Sequence, residues 1–110
     1  MQKQVLELLL SKGFVFKKFT NLDMKKYTKK RTIQVFFGVD LEGYNTLVYM
    51  INSKSKILKK DAEYIFNLDV LIQKDLEKTV KKHILFYNSD ICSKSIKLLK
   101  ESGFKIYDFM

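Results

Sequence analysis

The chain has 110 residues, 46% of them apolar and 14% aromatic, with no proline and no tryptophan. That describes one domain, residues 1–110, with enough apolar side chains for a real core. Twenty-one Lys and Arg against twelve Asp and Glu give a formal charge of +9, so a polyanion, nucleic acid first, is the expected partner.

All but one of the basic residues are lysine, Arg31 being the exception. No apolar run approaches the roughly 20 residues that span a bilayer, so no membrane role is expected. The N-terminus lacks the charged, apolar and small-residue order of a signal peptide. The single cysteine, Cys92, excludes an intramolecular disulfide and fits a reducing cytoplasm. One cysteine with one histidine argues against a structural zinc site within one chain.

Residues 1–12 read as a helix, with Val5, Leu6, Leu8, Leu9 and Leu10 as a broad apolar face and Gly13 as its stop. Phe14 to Phe19 read as a strand. Thr20 to Lys30 is a polar connection holding Lys25, Lys26, Lys29 and Lys30, with Arg31 next and a single acid, Asp23. Tyr27 sits among these cations, a combination that suits phosphate contacts with base stacking. The centre of the chain is a hairpin. Thr32 to Val39 and Tyr44 to Ile51 are strand runs, and Asp40-Leu41-Glu42-Gly43 supplies the turn. Neither run alternates: Val35, Phe36 and Phe37 are consecutive, and so are Leu47 to Ile51. Such strands are covered on both faces, which places the hairpin mid-sheet.

A basic exit follows, with Lys54, Lys56, Lys59 and Lys60. Leu58, Ala62, Ile65, Leu68 or Val70, Ile72, Leu76 and Val80 then recur at helical steps, with Asn67-Leu68-Asp69 as a candidate break. His83 to Tyr87 read as a strand. Ser89 or Asp90 is expected to cap a helix running to about Ser102. Residues 104–109 alternate as a final strand. Strand, helix and strand in so short a span predict a parallel pair joined by a right-handed crossover. The predicted class is therefore α/β, in the order α-β-β-β-α-β-α-β, with one mixed sheet and helices on both faces.

That order, a central hairpin followed by a helix and a βαβ unit, resembles the restriction-endonuclease-like (PD-(D/E)XK-type) fold. The resemblance implies a nuclease site in which an Asp is followed about ten residues later by an acid-x-Lys triplet, the carboxylates holding Mg²⁺ and the Lys assisting. Asp40 followed by Asn52-Ser53-Lys54 matches in spacing and in the lysine. It departs in the middle acid, replaced by Asn52, and in the place of Asp40, which ends its strand instead of starting it. On this resemblance Asp40 would be the metal ligand and Lys54 the assisting cation. Glu42 or Glu7 would supply a second carboxylate. The fold also hosts metal-free tRNA-splicing endonucleases, whose strand openings GFVFKKF and FFGVD faintly resemble, and inactive structural subunits. His83 lies in the wrong part of the order for the former.

Asn52 is a poor ligand for a hard cation. The expectation is therefore a basic nuclease-fold nucleic-acid-binding protein, catalytically impaired, with no cofactor. Its rivals are an active Mg²⁺-dependent nuclease and a structural or protein-interaction subunit. Asn52→Asp or Asn52→Glu is the change most expected to create some cleavage. The expected binding residues are Lys25, Lys26, Lys29, Lys30, Arg31, Lys54, Lys56, Lys59 and Lys60. DNA and RNA stay open. Cys92, at a helix start, has no partner base in sequence. A homo-oligomer would use Tyr107 and Phe109 on the last strand.

Overall fold

Every residue of the third strand from Thr46 to Ile51 is buried, so this strand needs cover on both sides. The computed structural model, which describes residues 2–109 (side chains from Gln4), supplies it. The elements are α1 (Gln2–Ser11), β1 (Phe16–Asn21), β2 (Ile33–Asp40), β3 (Asn45–Ile51), α2 (Lys59–Leu76), β4 (Lys82–Tyr87), α3 (Ser93–Glu101) and β5 (Phe104–Asp108). Met1, at the start of the expected first helix, lies outside the described residues. One five-stranded sheet has the order β1-β2-β3-β4-β5. β1, β2 and β3 form an antiparallel meander, and β3, β4 and β5 run parallel. The predicted order, the central hairpin and the parallel last pair are all present.

Two core layers follow from the pleat. Val35, Leu47, Tyr49, Ile51 and Leu85 meet α2 and α3 through Ala62, Ile65, Leu68, Ile72 and Leu99. Phe36, Val48, Met50, Ile84 and Phe86 meet Val5 and Leu9 of α1. Neighbouring strand residues thus belong to opposite layers, which is why the hairpin never alternates apolar with polar. The helices do lie on both faces.

Element ends differ from the sequence reading for local reasons. Gly13 takes φ +85°, and the Phe14 amide donates back to the Leu9 carbonyl at 2.9 Å. This Schellman closure ties up Phe14, so β1 starts at Phe16. Asp23 accepts from the Lys25 amide at 3.1 Å and starts a short 3₁₀ turn, Met24–Lys26, inside the polar connection. The second long helix does not break at Asn67-Leu68-Asp69, because Leu68 and Asp69 both face inward. It stops at Leu76 instead of Val80, where Glu77 takes φ 54°. α3 is capped by Cys92, not by Ser89 or Asp90. The Asp90 carbonyl instead accepts from the Ile57 amide at 2.8 Å, within a parallel bridge between Ile57 and Ile91. Tyr107 and Phe109 are half-buried against the α1 layer, so they are not the exposed edge expected for a homo-oligomer.

Asp69 is 4% exposed. Its carboxylate accepts from the Tyr49 hydroxyl and from Gln73 Nε2 at 2.7 Å, and it meets His83 Nδ1 at 3.0 Å. Gln73 Oε1 in turn accepts from the Val80 amide at 3.2 Å. Burial first, then the Asp69 charge, push the Tyr49 hydroxyl far up in pKa, so it stays a donor. The network ties α2 to β3 and β4. Removing the carboxylate leaves the Tyr49, Gln73 and His83 groups without their shared partner, and each orphaned buried group costs about 1–3 kcal/mol. Asp69→Ala should therefore lower unfolding free energy by about 3–5 kcal/mol in urea titrations. A loss under about 1 kcal/mol would show that the network is dispensable.

Candidate nucleic-acid interface

The sheet has two functionally different ends. The turn end carries the β2–β3 turn. The exit end carries the start of β2 and the ends of β1, β3, β4 and β5. Pairing Ile33 with Ile51 and Val39 with Asn45 fixes this division.

Asp40 lies at the turn end and is 8% exposed. Its Oδ1 accepts from the amides of Glu42 at 3.0 Å and Tyr44 at 2.9 Å. Its Oδ2 meets Lys82 Nζ at 2.7 Å. Gly43 takes φ +90° to close the turn. The Lys82 ammonium, followed by the two amides and partly offset by desolvation, holds the Asp40 carboxyl below its usual range. Lys82 is raised in turn, by Asp40 first. Glu42 is exposed on the same turn, and Glu7 is exposed on α1.

Lys54 follows the end of β3, a seven-residue strand, and so lies about 20 Å from the turn. The expected partnership of Asp40 with Lys54 is not formed. Asn52, in the middle-acid position, donates its amide to the Thr32 carbonyl at 2.9 Å, and its side chain accepts from Asn88 Nδ2 at 2.7 Å. Thr32 therefore stands across from Asn52 where a second carboxylate would be needed. Asp61, one of the acids near this end, accepts from the Leu58 amide at 2.9 Å and meets Lys30 at 4.0 Å. Among the described residues, no three His, Cys, Asp or Glu come together to hold a metal ion. The residues present do not fit the Mg²⁺ site that the resemblance implied.

The nine candidate binding residues fare differently. Lys25, Lys26, Lys29, Lys30 and Arg31 lie between the end of β1 and the start of β2. Lys54 and Lys56 follow β3, and Lys59 and Lys60 open α2. All sit on segments that leave or enter the exit end, although Lys26 reaches along α2 to Asp75 near the far end of that helix. An open groove of about 780 Å³ runs there, lined by Leu22, Met24, Lys25, Lys29, Arg31 and Gln34 among others. A smaller hollow of about 250 Å³ beside it brings Lys30 and Lys56 together with Ser53, Ser55 and Tyr64.

The five cations of the connection divide into two sets. Lys26 meets Asp75 at 3.6 Å, and Lys30 lies 4.4 Å over the Tyr64 ring besides its contact with Asp61. Tyr27 donates to Asp75 at 2.5 Å, and Thr28 hydrogen-bonds the Tyr64 hydroxyl. These side chains staple the connection to α2. Asp75 raises the Tyr27 hydroxyl to about 12. Tyr27 packs against the α2 layer and is not offered for base stacking as expected. Lys25, Lys29 and Arg31 are exposed and form no ion pair among the described residues. At the turn end three lysines are occupied, whereas Lys17 and Lys18 of β1, paired near Asp40 and Val39, are exposed. Lys78 lies over Phe37 at 4.9 Å, Lys81 over Tyr44 at 5.5 Å, and Lys82 holds Asp40.

Sequence reading missed three contributors. Gln34 Oε1 is buried without a hydrogen-bond partner where its residue lines the groove. Lys94 and Lys97 of α3 lie beside Lys59. The βαβ logic could have found the two lysines, since α3 must start at the exit end. Nothing in sequence marks Gln34. At the α3 start, the Ser95 hydroxyl, 2.9 Å from Cys92 Sγ, and then the first-turn amides hold the thiol below its usual pKa.

No protein-family model matches the chain, and comparison with curated proteins gives no match. Solved structures do match in shape. EndoMS in complex with double-stranded DNA aligns with 98% of this chain at TM-score 0.54 and 16% identity. Apo EndoMS aligns with 99% at 0.54 and 17%. A repair endonuclease from Pyrococcus abyssi aligns with 99% at 0.55 and 15%. The fold is restriction-endonuclease-like. This chain spans 44–46% of the length of those neighbours. Among the described residues no helix is long and apolar enough to cross a membrane.

The turn-end carboxylate yields a pH test. A folded-state pKa below the unfolded one adds stability above the unfolded value, and that stability is lost as pH falls through the folded value. Asp40→Asn should lower Tm at pH 7. The gap to the native protein should narrow once pH drops below the ordinary carboxyl value of 3.8. Thermal melts from pH 7 to pH 2.5 check this, and a gap constant over that range would refute the Asp40–Lys82 assignment.

Proposed function

We propose that this chain binds double-stranded DNA through its exit end, by phosphate contacts and without cleaving it. The observation that carries this reading is the open groove beside the start of β2, where Lys25, Lys29 and Arg31 stand exposed and form no ion pair among the described residues, while Asp40 is paired with Lys82 at the opposite end of the hairpin. Lys25, Lys29 and Arg31 beside an open groove offer charge to a phosphate backbone. With Tyr27 and Tyr64 tied down, the groove has no aromatic platform, and single-strand binding normally needs one. A duplex is read through its backbone without stacking, and the DNA complex of a structural neighbour supports DNA as the duplex. Catalytic impairment rests on Asn52, on Thr32 across from it, and on the distance from Asp40. A reducing cytoplasm suits the lone thiol.

Fluorescence anisotropy with a labelled duplex tests binding. Lys25→Glu, Lys29→Glu and Arg31→Glu together should weaken duplex binding at least about tenfold near physiological salt. They should also flatten the plot of log K against log salt by about 2 to 3, since each phosphate contact on duplex DNA contributes about 0.9. Tighter binding to single strands, or an unchanged slope, would overturn the proposal. Lys26 and Lys30 are left in place because their reversal would break contacts to α2.

Cleavage has its own test. Asn52→Asp supplies one carboxylate with no second to share the ion, and Mg²⁺ sheds its waters reluctantly. It should therefore give no Mg²⁺-dependent nicking of supercoiled plasmid, contrary to the expectation from sequence. Nicking by the native protein that chelator abolishes would mean an active metal site was overlooked.

A further inference from the structure

The outer face of α2 carries three exposed apolar side chains within six residues. Phe66, Val70 and Leu71 are 43%, 52% and 46% exposed. They sit opposite the buried stripe of Ala62, Ile65, Leu68 and Ile72. Phe66 borders α3 across a shallow hollow shared with Leu98 and Ser102, while about half of each side chain stays open, and the three are flanked by Glu63 toward one end of the helix and Lys74 toward the other. Glu63 has only a distant exposed partner, Lys59 at 4.0 Å, a pairing worth a few tenths of a kcal/mol. Lys74 forms no ion pair among the described residues.

This arrangement is complementary to itself. A two-fold axis beside α2, level with the step between Leu68 and Asp69, sets a second α2 antiparallel to the first. Glu63 then faces Lys74 of the second copy, and Lys74 faces its Glu63. Asn67 faces Val70, and Phe66 packs beside the other Val70. Such an isologous contact doubles every interaction and closes on itself.

We infer that the outer face of α2 is a homodimer surface, occupied by α2 of a second copy in antiparallel orientation. One helix face buries less than the about 800 Å² per partner of a stable interface, and two copies at +9 repel each other. The dimer is therefore weak, with half-association between about ten micromolar and one millimolar.

Sedimentation velocity across that range tests it, with circular dichroism confirming that each variant is folded. The native protein should shift toward dimer as concentration rises. Glu63→Lys raises net charge by two and Lys74→Glu lowers it by two, so general repulsion alone would move association in opposite directions. The two-fold contact instead predicts that each weakens dimerisation at least fivefold. It also predicts that the double variant, Glu63→Lys with Lys74→Glu, regains native association, because the pair is restored with its signs exchanged. Val70→Asp should abolish the dimer. A native protein monomeric at one millimolar, a strengthened Lys74→Glu dimer, a double variant that stays monomeric, or an unaffected Val70→Asp would each overturn the inference.

Discussion

The burial of β3 on both faces is the constraint from which the rest of the architecture follows. Six successive buried residues cannot be covered from one side. α1 must close one face, and α2 with α3 must close the other. Once both faces are sealed, polar chemistry is left to the two ends of the sheet and the outer surfaces of the helices. The ends are not equivalent. The turn end is short and tightly bonded. The exit end collects the connections after β1, β3 and β4, and long polar connections are where exposed cations can accumulate without cost to the core.

The fate of the carboxylates then decides what chemistry remains. Asp40 is saturated by two amides and Lys82, and Asp69 by a tyrosine, a glutamine and a histidine. Asp61 caps α2, and Asp75 holds the polar connection. Each is used in folding. Acids that are hydrogen-bonded to their own chain are poor candidates for sharing a hydrated Mg²⁺, which demands free oxygen atoms in near-octahedral geometry. In this chain acids hold elements together, while a subset of the lysines points away from them.

Much of the fold could be read from the sequence because its signals are local. Loop lengths and apolar runs gave the meander, the crossover and the two-sided hairpin. Gly13 and Gly103 marked helix ends, and both take positive φ. The candidate site could not be read the same way. The spacing from Asp40 to Asn52-Ser53-Lys54 matches a motif in count, yet count carries no direction in a hairpin. Asp40 immediately precedes the turn, so each step along β3 leads further from it. A strand length, not a spacing, held that information. Asp69 was equally opaque. Its surroundings suggested a helix break, and only the approach of Tyr49 and His83 from two other strands explains why a charge is stable there.

The geometry of α2 would join the proposed duplex binding to the proposed self-association. Lys59 starts this helix at the exit end, and its 18 residues run back toward the turn end over about 27 Å. An antiparallel pair of α2 helices therefore sets the two exit ends at opposite poles of the dimer. Two basic grooves so placed cannot close on the same stretch of one short duplex. They can engage two separate duplexes, or distant parts of one long molecule, and only in that case does the second contact become intramolecular and raise avidity. Mutual repulsion between the copies also falls once phosphates neutralise the exit ends. Long DNA should favour the dimer in a way that a short oligonucleotide does not. On the two proposals together, the charge that opposes pairing of free copies is the same charge that bound DNA would neutralise.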